Sequence, residues 1–331
     1  MPREHSGPTM ADVAREAGVA LGTVSRVVNG EQVGDAFREK VQAAITKLGY
    51  KYNSSGRALR TDETNTVAVS MPNCDNPFFG LLVNYICIAL RKRKRRMLLC
   101  LTENDRDRET ELIQMAQQNR VDGIIALTYN PKLTIPENIP LVTIDRFFSL
   151  SVPCIASDNF GGGVLAARKL QMLGCTRVAF LQTASELPTE PKKRRDGFVS
   201  ACVEIGLPFE VKVITTEEKE PASEFDLFLQ DHMENGHLAF DGLFVGTDSL
   251  AWQIIKKLRG MGVRVPEDVQ VIGFDGIRLF GCQEYVVSTI VQPVPEIAEA
   301  CVNTVLSRHF SNVPSLIILP VTYARGGTTR E

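Results

Sequence analysis

The segment AGVALGTVSRVVNG, Ala17–Gly30, reads as the turn and second helix of a helix-turn-helix. Thr9 is placed to cap a first helix beginning at Met10, because its hydroxyl accepts one of the backbone N–H groups that a helix start leaves free. Val13, Ala14 and Ala17 form a narrow apolar stripe on that helix. Gly18 ends it and permits the tight turn. A second helix is expected from about Leu21 to Val28, with Val24, Val27 and Val28 inward and Asn29-Gly30 as its stop. Asp35 is expected to cap a third helix with Val41, Ala44, Ile45 and Leu48 as its buried stripe and Gly49 as its end. The pattern leaves Leu21, Gly22, Thr23, Ser25 and Arg26 facing outward. Such a helix fits the major groove of DNA. An Arg there can meet guanine O6 and N7 with two hydrogen bonds, while Thr23 and Ser25 suit phosphates, which position without specifying. Residues 1–60 hold nine Lys/Arg against six Asp/Glu, while the whole chain nets −2, so the negative excess lies downstream. That asymmetry fits a head that faces nucleic acid.

Downstream, strand-like runs at Thr66–Met71, Met97–Thr102, Gly123–Thr128, Leu141–Asp145, Arg177–Gln182, Leu243–Thr247 and Val269–Phe274 alternate with helical patterns. Alternation of this kind implies parallel sheets with helices on both faces. At 331 residues and 44% hydrophobic content the chain can build two or three domains. No apolar run reaches eighteen residues, so no membrane span is expected. Met1–Thr9 is polar and carries no secretory leader pattern. The eight Cys show no C-x-x-C pair and no metal spacing with the four His. Reduced, buried thiols in a cytoplasmic protein are the expectation, with Cys87, Cys100 and Cys202 each in an apolar segment. No metal and no cofactor are called for.

In open α/β sheets ligands gather at the carboxyl ends of strands. Asn76-Pro77-Phe78-Phe79, Asp145-Arg146, Asp275 and Gln292 all fall at such ends. Carboxylates, amides and guanidinium groups suit paired sugar hydroxyls, and aromatic faces suit their C–H patches. No G-x-S-x-G or H-E-x-x-H motif appears, so no catalytic group is assigned. A glycosidase would need a paired acid and base, for which Asp145 and Asp275 are the only pair suggested. Three plainer features complete the reading. Arg91–Arg96 is a basic run expected at a solvated helix end, Gly161–Gly163 is expected to allow close helix packing, and His232 and His237 are expected at the surface.

The motifs ADVAREAGVALGTVSRVVNG, VQAAITKLGYKYN and GRALR resemble the DNA-binding domain of the LacI/GalR family of bacterial regulators, and the likeness runs on to about Thr329. It implies a small all-α helix-turn-helix head and an α/β two-lobe core like that of periplasmic sugar-binding proteins. The expected divisions are residues 1–52 for the head and 53–64 for a hinge. Residues 65–331 form the effector and dimerisation domain, with an N-lobe of about 65–160 and 293–325 and a C-lobe of about 161–292. The resemblance implies base reading at Leu21, Gly22 and Arg26, and further DNA contacts at Thr9, Thr23, Ser25, Asn29, Tyr50, Asn53, Arg57 and Leu59. Leu59 matches the family's minor-groove wedge, which unstacks a base step.

The chain departs from the family at several places. Ala20 stands where a capping Ser is usual, Tyr52 replaces Pro, and Gly56 replaces Ala in the hinge, at a cost of roughly 1 kcal/mol in a helix. The resemblance implies a sugar pocket of Asn76, Phe78, Phe79, Asp145, Arg146, Arg194, Asp275 and Gln292, with Arg194 taken from the family's R-x-x-G-[FY] pattern. Asp248 is included because the family's Asn-Asp appears here as Thr247-Asp248. ELPTEPKKRRDGF and LPVTYARGGTTR are most like ribose-operon members, and SDNFGGG and IVQPVPEIAE are also like sucrose-operon members. The implied partners are operator DNA, a small sugar and a second copy of the chain. A phosphocarrier-type protein corepressor, as in global catabolite regulators, is a further partner the family admits. A sugar-binding transport protein is the rival reading, but it needs a leader and no DNA-reading head.

Overall fold

The computed structural model describes residues 8–28, 30–50, 64–128, 130, 138–185, 189–215, 221–278 and 284–330. The chain divides into two compact units, Met1–Thr64 and Asn65–Glu331.

The first unit holds α1 (Met10–Ala17), α2 (Leu21–Val28) and α3 (Asp35–Leu48). Thr9 caps α1 in a reciprocal box: the Asp12 N–H donates to Thr9 Oγ1 at 3.3 Å and the Thr9 N–H donates to Asp12 Oδ2 at 2.9 Å. Gly18 closes the helix at φ 63°, ψ 37°, left-handed backbone that costs a glycine little. Val13, Ala14, Val24, Val41 and Ala44 form the core of the unit, with Val27, Val28 and Tyr50 packed partly against it. Asp35 is not the cap of α3. It is the first helical residue, after Gly34, which offers no side chain to cap with, so its charge acts only on the helix dipole.

The second unit has two sheets. The first contains β1 (Thr66–Met71), β2 (Arg96–Leu101), β3 (Gly123–Ala126), β4 (Leu141–Ile144), β5 (Cys154–Ser157) and, later in the chain, β13 (Leu316–Leu319). Their order is β13-β5-β4-β3-β1-β2, and every pairing is parallel. Alternation along β1 turns Val67, Val69 and Met71 toward α4 (Pro77–Lys92) and α10 (Val294–Val305), and Ala68 toward α5 (Arg106–Gln118).

The second sheet contains β6 (Val178–Ala184), β7 (Phe209–Thr215), β10 (Gly242–Val245), β11 (Gln270–Asp275), β12 (Ser288–Val291) and β14 (Thr322–Ala324), in the order β14-β12-β11-β10-β6-β7. Only β14 runs antiparallel to its neighbour. α6 (Asn159–Met172) and α7 (Lys193–Ile205) cover one face, while α8 (Pro221–Asp231) and α9 (Asp248–Gly260) cover the other. A short ribbon of β8 (Met233–Glu234) and β9 (His237–Leu238) stands apart.

The glycine-rich start of α6 does what close packing requires. A Cβ on Gly163 would lie 2.1 Å from the Arg194 carbonyl oxygen, and one on Gly197 would lie 2.0 Å from that of Phe160. The chain crosses between sheets after β5, after β12 and after β13. Because β14 joins the second sheet, the segment returning to the first sheet ends with Leu319 rather than running to 325; Pro320 has no N–H to continue the ladder. His232 is half-buried, its ring between Phe228 and Phe240 and its nitrogens bonded to the Phe228 carbonyl and Glu210. Polar neighbours in the sequence had suggested the surface. The seven cysteines among the described residues are free, and burial pushes the Cys154, Cys175 and Cys202 thiols up to about 12, which leaves them unreactive.

Candidate ligand cleft and nucleic-acid interface

Four strand ends and two helix starts converge on Arg194. This residue sits in the first turn of α7, and it is almost fully buried. Its Nε donates to Asn159 Oδ1 at 2.7 Å and its Nη1 to the Gly246 carbonyl. The guanidinium lies 3.6 Å above the Phe274 ring, and Nη1 stands 4.0 Å from Asp275 Oδ1. Asp275 ends β11, and its Oδ1 accepts from Gln292 Nε2 at 2.8 Å. Gln292 Oε1 in turn accepts from Ser157 Oγ at 2.7 Å. Ser157 and Gln292 lie on the first and second crossings, so this bond joins two of the three connections between the sheets. A backbone bond also spans the two lobes, from the Glu190 N–H to the Asp145 carbonyl at 2.9 Å.

Asp145 follows β4 in left-handed backbone, φ 58°, a conformation Asp tolerates better than most residues. Its Oδ1 is buried with no hydrogen-bond partner, an exception to the rule that buried polar atoms are paired. Burial pushes the Asp145 carboxyl up to about 6, with Arg194 pulling it back and Glu190 adding to the rise. Burial drives Asp275 further, to about 8; Arg194 opposes this and Asp248 reinforces it. Asp248 also rises to about 6 through burial. The cluster therefore combines three acids short of water with one guanidinium among them.

The structure brings Asp145, Arg194, Asp275 and Gln292 together. Asp248 stands behind them: its Oδ2 accepts from the Ile277 N–H at 2.7 Å and its Oδ1 from Thr289 Oγ1 at 2.6 Å, which holds β11 and β12 in place. Thr247 caps α9 by accepting from the Leu250 N–H. Asn76 turns its Oδ1 back to the Phe78 N–H as the cap of α4. Phe78 lies in the core of the first lobe, and Phe79 is half-buried 5.9 Å from it. Arg146 donates to the Thr128 and Asn130 carbonyls and stacks on Phe148 at 4.2 Å.

Ser157, Asn159, Gln182 and Glu190 were not singled out in the sequence, yet all are buried beside this cluster or on the elements that carry it. A polar residue closing an apolar strand, as in CIAS, was the available signal. The basic run is partly neutralised: Arg93 pairs with Glu299 and Arg95 with Asp122. Among the described residues no group of acidic, His or Cys side chains is placed to hold a metal ion, and no helix is long and apolar enough to cross a membrane.

On the head, Leu21, Gly22 and Arg26 are exposed on α2 opposite the buried Val24, and Thr23 and Ser25 are half-exposed. Arg26 Nε donates to the Gly22 carbonyl at 3.5 Å. Thr9 is engaged in its own helix cap, and Tyr50 packs partly on the head core. Asn29, Asn53, Arg57 and Leu59 lie outside the described residues.

Residues 9–53 match the model of the bacterial regulatory proteins of the lacI family, and residues 167–329 match a periplasmic binding protein-like domain. The sucrose operon repressor of Pediococcus pentosaceus is 32% identical, over 97% of this chain and 99% of its own. The ribose operon repressor of Bacillus subtilis is 30% identical, over 98% and 99%. Among solved structures, the Lac repressor bound to ONPG in the repressed state superposes with a TM-score of 0.78 at 23% identity, over 98% of this chain and 100% of that one. A LacI family regulator from Enterococcus faecium with bound ribose gives 0.66 at 26% identity, over 80% and 98%.

Proposed function

The chain belongs to the lacI family of bacterial regulatory proteins, and from that premise we propose that it represses a carbohydrate-utilisation operon under the control of a small sugar. The observation that carries the DNA-reading half is the division of α2, with Val24 buried in the head and Leu21, Gly22 and Arg26 left outward on a helix preceded by a closed turn. Arg26 supplies the bidentate base contact. Gly22 permits close approach, and Thr9, Thr23, Ser25, Asn29, Tyr50, Asn53 and Arg57 hold the backbone. Leu59 opens the central minor groove. Two copies are needed, one head in each of two successive major grooves, and the protein works in the cytoplasm with its operator.

The sugar half rests on the Arg194 cluster, where Asp145 and Asp275 accept hydroxyls and Arg194 donates. Ribose is the first choice of effector, and a sucrose- or fructose-type sugar the second. The sugar must bind one interlobe arrangement more tightly than the other, because a ligand shifts an equilibrium only by its differential affinity.

Gel-shift titration of the full chain against operator variants tests the reading. Arg26→Ala should remove about 1–3 kcal/mol of discrimination at one base pair in each half-site. An unchanged sequence preference would refute the assignment of α2.

A further inference from the structure

We propose that closure of the two lobes is proton-coupled, with Asp145 as the latch: protonated it lets the lobes close, and ionised it drives them apart. This goes beyond the effector reading and needs no ligand. It starts from the neighbours that Asp145 meets across the cleft.

Asp145 belongs to the first lobe, directly after β4. The charged groups that face it stand on the second lobe. They are Arg194 in the first turn of α7, Glu190 in the short helix Glu190–Lys192, and Asp275 at the end of β11. Asn159, at the start of α6, adds a hydrogen bond. From its own side come two uncharged thiols, Cys154 on β5 and Cys301 on α10. Arg146, next in the chain, is turned to the Thr128 and Asn130 carbonyls. The backbone makes the crossing as well, because the Glu190 N–H donates to the Asp145 carbonyl at 2.9 Å. Glu190 is itself buried, with Lys193 at 2.8 Å from its carboxylate. Closure therefore brings one buried acid of the first lobe against another of the second.

Asp145 Oδ1 is buried with no hydrogen-bond partner. A neutral carboxyl tolerates such a place far better than a carboxylate does. Parting the lobes returns water to Oδ1 and takes Glu190 away. Arg194 pulls the other way, yet burial outweighs it, and with Glu190 adding to the rise the carboxyl is held at about 6 instead of the ordinary 3.8. The closed arrangement binds the proton more tightly than a parted, hydrated one. Closure is thus favoured in acid and loses ground as pH rises from about 4 to about 6, then levels. Two units of pKa correspond to about 100-fold in the closed-to-open ratio. Asp275 and Asp248 share the second lobe with Arg194, so they keep that company whether the lobes are closed or parted.

The Glu190 amide reports closure directly, since its hydrogen bond spans the lobes. Amide hydrogen exchange on the full chain from pH 4 to pH 8, corrected for the intrinsic rate at each pH, reads its protection. The Val271 N–H, bonded to the Thr328 carbonyl inside the second lobe, is the control. Protection at Glu190 should fall by up to about 100-fold toward pH 6 and then level, with Val271 unchanged. Asp145→Asn keeps a side chain that tolerates left-handed backbone and should flatten the profile, its melt showing that it folds. Glu190→Gln keeps the reporting N–H and should move the turning point to lower pH. A flat wild-type profile overturns the proposal. So does a fall shared equally by Val271, or one that persists in folded Asp145→Asn.

Discussion

Asp275→Asn isolates the electrostatics of the cleft. The substitution keeps the shape of the side chain and an oxygen for Gln292 Nε2 to donate to, but carries no charge at any pH. In the wild type, burial lifts the Asp275 pKa from 3.8 to about 8, with Arg194 from α7, Asp248 from α9 and Asp145 beyond β4 as the charged groups facing it. An acid whose pKa is higher in the folded state holds its extra proton there, so stability falls as pH rises between the unfolded and folded values. The window runs from about pH 4 to about pH 8. At about 1.4 kcal/mol per unit, the full penalty approaches about 6 kcal/mol for the wild type, and the variant escapes it. Asp145 and Asp248 titrate within the lower half of the window in both proteins. Their contributions are common to both, so the difference between the proteins opens steadily across the window from about pH 4 to about pH 8. Urea and thermal melts of the full chain at one-unit steps from pH 5 to pH 9, at constant ionic strength, read it directly. The variant should gain on the wild type with each unit from pH 5 to pH 8 and hold its full advantage, several degrees in midpoint, at pH 9. Parallel curves across the range would refute the reading of Asp275 as a carboxyl made costly to ionise by burial.

Gly163→Ala places a methyl 2.1 Å from the Arg194 carbonyl oxygen and 2.7 Å from the Phe198 nitrogen, so α6 and α7 must separate. The overpacking cost, about 1–3 kcal/mol, should exceed the helix-propensity gain of about 1 kcal/mol, and a thermal midpoint equal to or above that of the wild type would contradict the packing. Ser157→Ala removes the donor to Gln292 Oε1 at the crossing strands. A buried acceptor left unpaired costs about 1–3 kcal/mol, measured as a lower urea midpoint at unchanged slope; no shift would mean the bond adds nothing to the crossings between the sheets.

Much of the head was legible in the sequence because its determinants are local. Thr9 and Asp12 lie three residues apart, and Gly18 and Gly49 act through their own backbone. Asp35 was misassigned within this same local logic, since Gly34 offers no signal of its own and the acid beside it draws the eye. In the cleft, Asp145, Arg194, Asp275 and Gln292 could be named from strand ends and family motifs. Their company could not. Ser157 and Gln292 are 135 residues apart, and Arg194 reaches Gly246 across 52. Arg146 adjoins Asp145 in sequence yet turns to the carbonyls of Thr128 and Asn130. Phe78 read as a platform and lies in the core, because any aromatic near a strand end satisfies both patterns.

By itself the sequence determined the helical head, the alternation that builds parallel sheets and the identity of the acids and the guanidinium at strand ends. Periodicity, caps and glycine turns act within a few residues. Only the tertiary structure decided which of those side chains share a cleft, that β14 leaves the first lobe for the second, and that Asp145 Oδ1 stands buried without a donor. Desolvation and pairing depend on what three crossings of the chain bring into contact, and no short-range pattern records that.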